Sequence, residues 1–202
     1  MRATSWGVKG LVLVWLCGLL ACGDGGGRQG RGTLEGQESG GMTIERPPEK
    51  VLITCPIGHG EAKYGTGVKV SPRDSAVSFQ ATVSNCVTVL GSAVTSATLG
   101  SEAPSLVRGI SCADLARAGA GRQVVTWNTT ETSTVLMSQS HVSVQDATTL
   151  VTQTGKVLSG KFQGATAVRT TTFLSTDIDN GCRSDEGLTF LKGPATFSVT
   201  YP

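Results

Sequence analysis

Val77-Ser78-Phe79-Gln80-Ala81-Thr82-Val83-Ser84 alternates an apolar side chain with a hydroxyl or amide at every step. Successive side chains of a strand point to opposite faces. Val77, Phe79, Ala81 and Val83 therefore share one face, and the polar residues share the other. Ala195-Thr196-Phe197-Ser198-Val199-Thr200-Tyr201 repeats the pattern near the C-terminal end. Less regular runs cover 62–70, 88–99, 122–129, 132–144, 147–158 and 161–174, with Thr and Val dominant. Such β-branched residues suit a pleated, half-buried surface. Ser159-Gly160 reads as the turn before the strand containing Phe162, and Lys192-Gly193-Pro194 as the turn introducing the last strand. Many short strands at regular spacing predict an all-β fold, an antiparallel β-sandwich or barrel-like sandwich.

One short helical turn interrupts this pattern. Ser111-Cys112-Ala113-Asp114 has the spacing of a capping box with Asp in place of Glu. Leu115 to Ala118 follow as helix formers, and Gly119 can end the turn. Its expected role is to carry Cys112 to a partner. Cys55, Cys86, Cys112 and Cys182 are an even set without the Cys-x-x-Cys spacing of a zinc site, so two disulfides are expected. Four cysteines allow three connectivities. The pairing expected here is Cys86–Cys112, flanking a local excursion, with Cys55–Cys182 tying the first strand to the late part of the chain.

Ahead of this domain the composition changes. Arg2 and Lys9 precede an apolar run, Leu11 to Ala21, that is too short for a membrane-spanning helix of about 20 residues. Leu19-Leu20-Ala21-Cys22 closes it and resembles the lipobox of bacterial lipoproteins. The resemblance implies a signal peptide over 1–21 and a lipid on Cys22. Residues 22–50 are rich in Gly, charge and Gln, with almost no large apolar residue, and read as a flexible linker. Residues 51–202 are then a single β domain, long enough to bury roughly 68–70% of its unfolded surface.

Within this domain, Val124-Val125-Thr126-Trp127-Asn128 precedes the cluster Thr132-Ser133-Thr134. Gly155-Lys156-Val157-Leu158-Ser159-Gly160-Lys161-Phe162-Gln163-Gly164 follows, and then a loop around Cys182. This series resembles uncharacterised secreted Thr/Gly-rich β-domain proteins of actinobacteria and related soil bacteria. The resemblance implies a sandwich-like secreted domain and brings no activity.

Charge excludes some functions. Residues 51–202 hold eleven Lys and Arg against ten Asp and Glu, scattered singly, and aromatics are few. Neither a basic stripe for phosphates nor stacking platforms for bases are present, so no nucleic-acid partner is expected. Among candidate sites, His59 in Gly58-His59-Gly60-Glu61 reads as a turn residue. His141 reads as a strand residue on the same side as Met137 and Gln139. No Gly-x-Ser-x-Gly elbow accompanies them, and Gly60–Gly67 lacks the Gly-Lys-Ser/Thr ending of a phosphate loop. Ser175, Asp177, Asp179, Gly181 and Glu186 fall at positions one, three, five, seven and twelve of a calcium-loop spacing. Asp177, Asp179 and Glu186 are thus a calcium candidate, set against a plain acidic turn. Asn180 at the sixth position and Arg183 at a ligand position depart from that pattern. Asn128-Thr129-Thr130 matches a glycosylation acceptor. Trp127 beside it is expected in the core, with sugar stacking as its alternative use.

No catalytic residue, cofactor or established metal site emerges. The expectation is a non-catalytic, envelope-anchored lipoprotein whose extracytoplasmic β domain serves structure, adhesion or protein binding. Its partners would be the membrane through the lipid and an envelope protein or glycan. The alternative is a cell-surface enzyme or ligand carrier acting on glycans or lipids. That alternative needs a concave pocket with converging polar groups, and an enzyme of this kind could use Asp179 and Glu186 as paired carboxylates.

Overall fold

The inward faces of the alternating strands meet because the sheet closes on itself. The computed structural model describes residues 50–89 and 93–201. The expected signal segment 1–21, Cys22 and the linker up to residue 49 lie outside them. Eleven strands follow in order: β1 (Lys50–Cys55), β2 (Ile57–Val68), β3 (Arg73–Ser84), β4 (Val87–Thr88), β5 (Ser96–Ser101), β6 (Ser105–Ile110), β7 (Gly121–Trp127), β8 (Thr132–Gln145), β9 (Thr148–Gly160), β10 (Thr166–Leu174) and β11 (Leu188–Tyr201). A 3₁₀ segment, Cys112–Gly119, precedes β7, and a helix, α1 (Ser175–Arg183), precedes β11.

The connectivity is a meander. β2, β3, β5, β7, β8, β9, β10 and β11 each pair antiparallel with the next. β11 returns to pair with β2, from Leu188 opposite Val68 to Pro194 opposite His59. The result is a closed eight-stranded barrel. Two of its staves are longer than the ring. β1 continues the line of β2 past Pro56 along the same partner, β11, and β6 continues the line of β5 along β3. β4 adds a two-residue strand outside β1.

Apolar residues point inward and hydroxyls outward. Trp127 meets Phe162 edge-on at 5.3 Å and Phe197 at 6.1 Å, with Val83, Val125 and Val199 buried around them. Its indole N–H donates to Ser133 Oγ at 2.9 Å, so the ring is a satisfied core residue with no face left for a sugar. Outside, Thr152 and Thr170 pair through their hydroxyls at 3.1 Å. A barrel immersed in lipid has the opposite polarity, apolar outward. Among the described residues, no helix is long and apolar enough to cross a membrane.

A break in register between Met137 and Gln139 changes the phase of β8. Ser133, Val135 and Met137 are buried before it. After it, Ser140, Val142 and Val144 take the inward phase and His141 faces out. A one-residue slip exchanges the two faces of a strand. His141 is therefore not on the side of Met137, as its spacing implied. Gly155 lies opposite Met137, where a Cβ would stand 2.2 Å from the Leu136 carbonyl oxygen. Only glycine lets the two strands approach there.

The disulfides are Cys55–Cys86 and Cys112–Cys182. The pairing expected from sequence is corrected by topology. β1–β2 and β3–β4 run side by side, so Cys55 and Cys86 face each other where Ile57 pairs with Ser84. Cys112 lies at the other end of β2, its amide donating to Lys69 O at 2.9 Å, and there it meets Cys182 of α1. Two disulfides fit an oxidising, extracytoplasmic environment. The 3₁₀ segment lies where the capping box placed it, and Ser111 Oγ donates to the Asp114 carboxylate at 2.7 Å.

Candidate functional site

β10 holds the decisive departure from apolar packing. Ala167, Arg169, Thr171 and Phe173 occupy its inward phase, and all four are buried. A guanidinium thus enters the barrel from a position where the pattern calls for an aliphatic residue. Two amides from the same inward phase receive it, Gln153 on the adjacent β9 and Gln123 on β7, further round the barrel. Arg169 Nη1 donates to Gln123 Oε1 at 2.6 Å, and Nη2 donates to Gln153 Oε1. The amides are held in turn, Gln123 Nε2 by Gly119 O and Gln153 Nε2 by Ser140 Oγ, both at 3.3 Å. Phe79 lies against the guanidinium, with the ring centroid 3.3 Å from Cζ.

These partners satisfy geometry but not charge. Both glutamines are neutral, and among the described residues no carboxylate lies within ion-pair distance of Arg169. Burial lowers its pKa to about 9, so the group remains a cation at neutral pH. An unneutralised buried ion costs several kcal/mol even after relaxation, by the general order of magnitude. Two polar atoms here are also buried without a partner, Arg169 Nε and Thr171 Oγ1. Native cores leave few such atoms, and each one calls for a cause.

Arg169 and Thr171 both line a cavity of about 370 Å³ inside the barrel. This is at the small end of the roughly 300–1,000 Å³ range of small-molecule sites. Val151, Leu115, Ile178 and Leu191 contribute apolar wall, and Tyr64 contributes a phenol that burial keeps neutral by raising its pKa. Exposure falls along the lining, from Val144 (68%) and Val142 (37%) through Thr149 (8%) to Arg169 (2%) and Gln153 (1%). The cavity therefore opens beside the β8–β9 hairpin and ends at the guanidinium. The 3₁₀ segment and α1 flank the opening, joined by Cys112–Cys182. The Ser175 amide fastens α1 to the hairpin through Ala147 O at 2.8 Å.

No family model, curated protein or solved structure matches this chain.

The residues singled out from sequence lie elsewhere. His59 is a strand residue, opposite Thr82 and Pro194, not a turn. It lines an outer groove with Glu61, Asp177 and Lys192. The stretch Gly60–Gly67 and the supposed turn Lys192-Gly193-Pro194 are likewise inside β2 and β11. Asp177 and Asp179 belong to α1, and Glu186 lies beyond its end. Residues two apart on a helix diverge, so the calcium spacing does not become a calcium loop. Among the described residues, no three His, Cys, Asp or Glu side chains gather closely enough to hold a metal ion. Asp179 is an exposed residue of the cavity's rim; Glu186 does not line the cavity. Asn128 spends its amide on backbone, accepting from Thr95 N (2.8 Å) and Ser96 N (3.2 Å) and donating to Ala93 O (3.1 Å). The glycosylation-like triplet thus has a structural use.

Proposed function

We propose that this domain is a non-catalytic binding protein of the extracytoplasmic space that carries or sequesters a small amphipathic molecule in its barrel. The observation behind this reading is the dead-end apolar cavity with a cation at its inner end. Interiors of eight-stranded barrels are either filled by side chains or just wide enough for one small ligand. This one is packed around Trp127 and hollow around Arg169. Of the two sequence readings, the ligand carrier accounts for the cavity, while adhesion through an outer face leaves it without a use. Glycoside cleavage is disfavoured because Asp179 and Glu186 do not meet across it.

Binding of the neutral fluorescent probe N-phenyl-naphthylamine tests the reading. Saturable, blue-shifted emission at one site per chain is expected, with a micromolar Kd. Val151→Trp, which fills the cavity, should abolish it. Absence of saturable binding to the oxidised wild-type protein would remove the proposal.

We further propose that the domain is held at a bacterial membrane by a lipid on Cys22, with residues 23–49 as spacer. The export-signal layout and the oxidised cysteines support this. Mass spectrometry of the protein extracted from membranes should find a chain that starts at Cys22 and carries acyl groups. A chain retaining Met1 without acyl mass would refute the anchor.

A further inference from the structure

We infer that the natural ligand is a monoanionic carboxylate with a short apolar tail, bound head-first, with its carboxylate at Arg169 and Thr171. The inference rests on the binding reading above and adds the chemistry of the head. The protein places one fixed positive charge at the inner end and, among the described residues, no negative charge within ion-pair distance of it. One anionic charge on the ligand would neutralise it. The two unused polar groups, Arg169 Nε–H and Thr171 Oγ1–H, can serve the two oxygens of a carboxylate. A phosphate monoester, with three oxygens and up to two charges, asks for more donors and a second cation than the cavity has.

The rest of the cavity fits the tail. Past the polar end, its walls are Val151, Leu191, Leu115, Ile178 and Val142, leading to Val144 at the opening. At about 30 Å³ per non-hydrogen atom, the share of a water in the liquid, the cavity holds roughly a dozen such atoms. A medium-chain carboxylate such as octanoate is of that size. The one carboxylate on the lining, Asp179, is exposed at the rim, where water and salt screen it from a passing anion. Gly119 closes the arrangement: a Cβ there would fall on the Gln153 amide, so the main chain can pass directly over one of the groups that holds Arg169.

Displacement of N-phenyl-naphthylamine by octanoate and by octanol tests the head separately from the cavity. Octanoate is expected to bind at least about tenfold more tightly than octanol at neutral pH, the scale of a hydrogen-bonded charge. Thr171→Val should weaken octanoate about tenfold and leave octanol unchanged. Its folded state is safe to test, because the deleted hydroxyl has no hydrogen-bond partner among the described residues. Arg169→Met should erase the difference between the two competitors. If the probe binds and octanoate and octanol displace it equally, the head assignment is wrong and the binding reading stands. If the probe itself does not bind, both fall.

Discussion

Cys112→Ser combined with Cys182→Ser is expected to lower the thermal midpoint of the domain by about 10 °C. The two cysteines are 70 residues apart in sequence. Closing a loop of that size removes entropy from the unfolded chain worth about 4 kcal/mol in the chain-entropy model. For a domain of this length, each kcal/mol moves the midpoint by about 2–4 °C. The local bridge Cys55–Cys86, with a separation of 31, joins strands already neighbours in the sheet, and its removal should matter less. The larger effect also has a local part. α1 contains Thr, Asp, Asn and Gly, weak helix formers, and is held by Ile178, Cys182 and the hairpin contact of Ser175. Differential scanning calorimetry of the oxidised wild type and both double variants measures the ranking. A midpoint unchanged by loss of Cys112–Cys182 would contradict it.

Arg169→Ala is expected to cost about 3–5 kcal/mol, because Gln123 and Gln153 would lose their donor and a void would open beside Phe79. The informative companion is the triple change Arg169→Met, Gln123→Leu and Gln153→Met. Replacing a whole buried polar cluster by apolar groups of similar volume is often neutral or stabilising, whereas breaking it is not. The triple variant should therefore unfold in urea within about 1 kcal/mol of wild type, or above it. Such a result would mean that the cluster is not kept for stability. If the triple variant instead falls as far as Arg169→Ala, the cluster is itself a structural support, and the case for a charged ligand loses its energetic basis.

Much of the barrel was legible in Val77–Ser84 and Ala195–Tyr201, since strict alternation needs one dry and one wet face. The 3₁₀ segment was legible in Ser111 and Asp114. Other features depended on neighbours. His59 reads as a turn because Gly58 and Gly60 flank it, and Gly193 because Pro194 follows it, yet both are in strands where backbones pack closely: a Cβ on Gly193 would strike Thr172 O. The bulge after Met137 reversed the assignment of His141, and nothing local announces a bulge at Ser138. α1 was hidden by poor propensity, its only trace being Ile178 and Cys182 four residues apart on its buried side. The cavity residues did leave a signal. Gln123 keeps step with Val125 and Trp127, Gln153 with Val151 and Val157, and Arg169 with Ala167 and Phe173. Polar side chains in the inward phase of three separate strands mark a common interior site, but only once the strands are known to share one interior.

The return of β11 to β2 has a consequence for life in a crowd. An open sheet ends in rows of free N–H and C=O groups that can recruit a neighbour's strand and seed aggregation. Here the ring has no terminal stave; among the described residues the edges that remain lie on β8 after Met137, paired there with β9 and not with β7, and on the outer pieces. The last of these, β4, is two residues long and stands beside Cys86. Copies crowded together would find only these limited ladders to extend, which lowers the risk of strand-by-strand fusion into fibres.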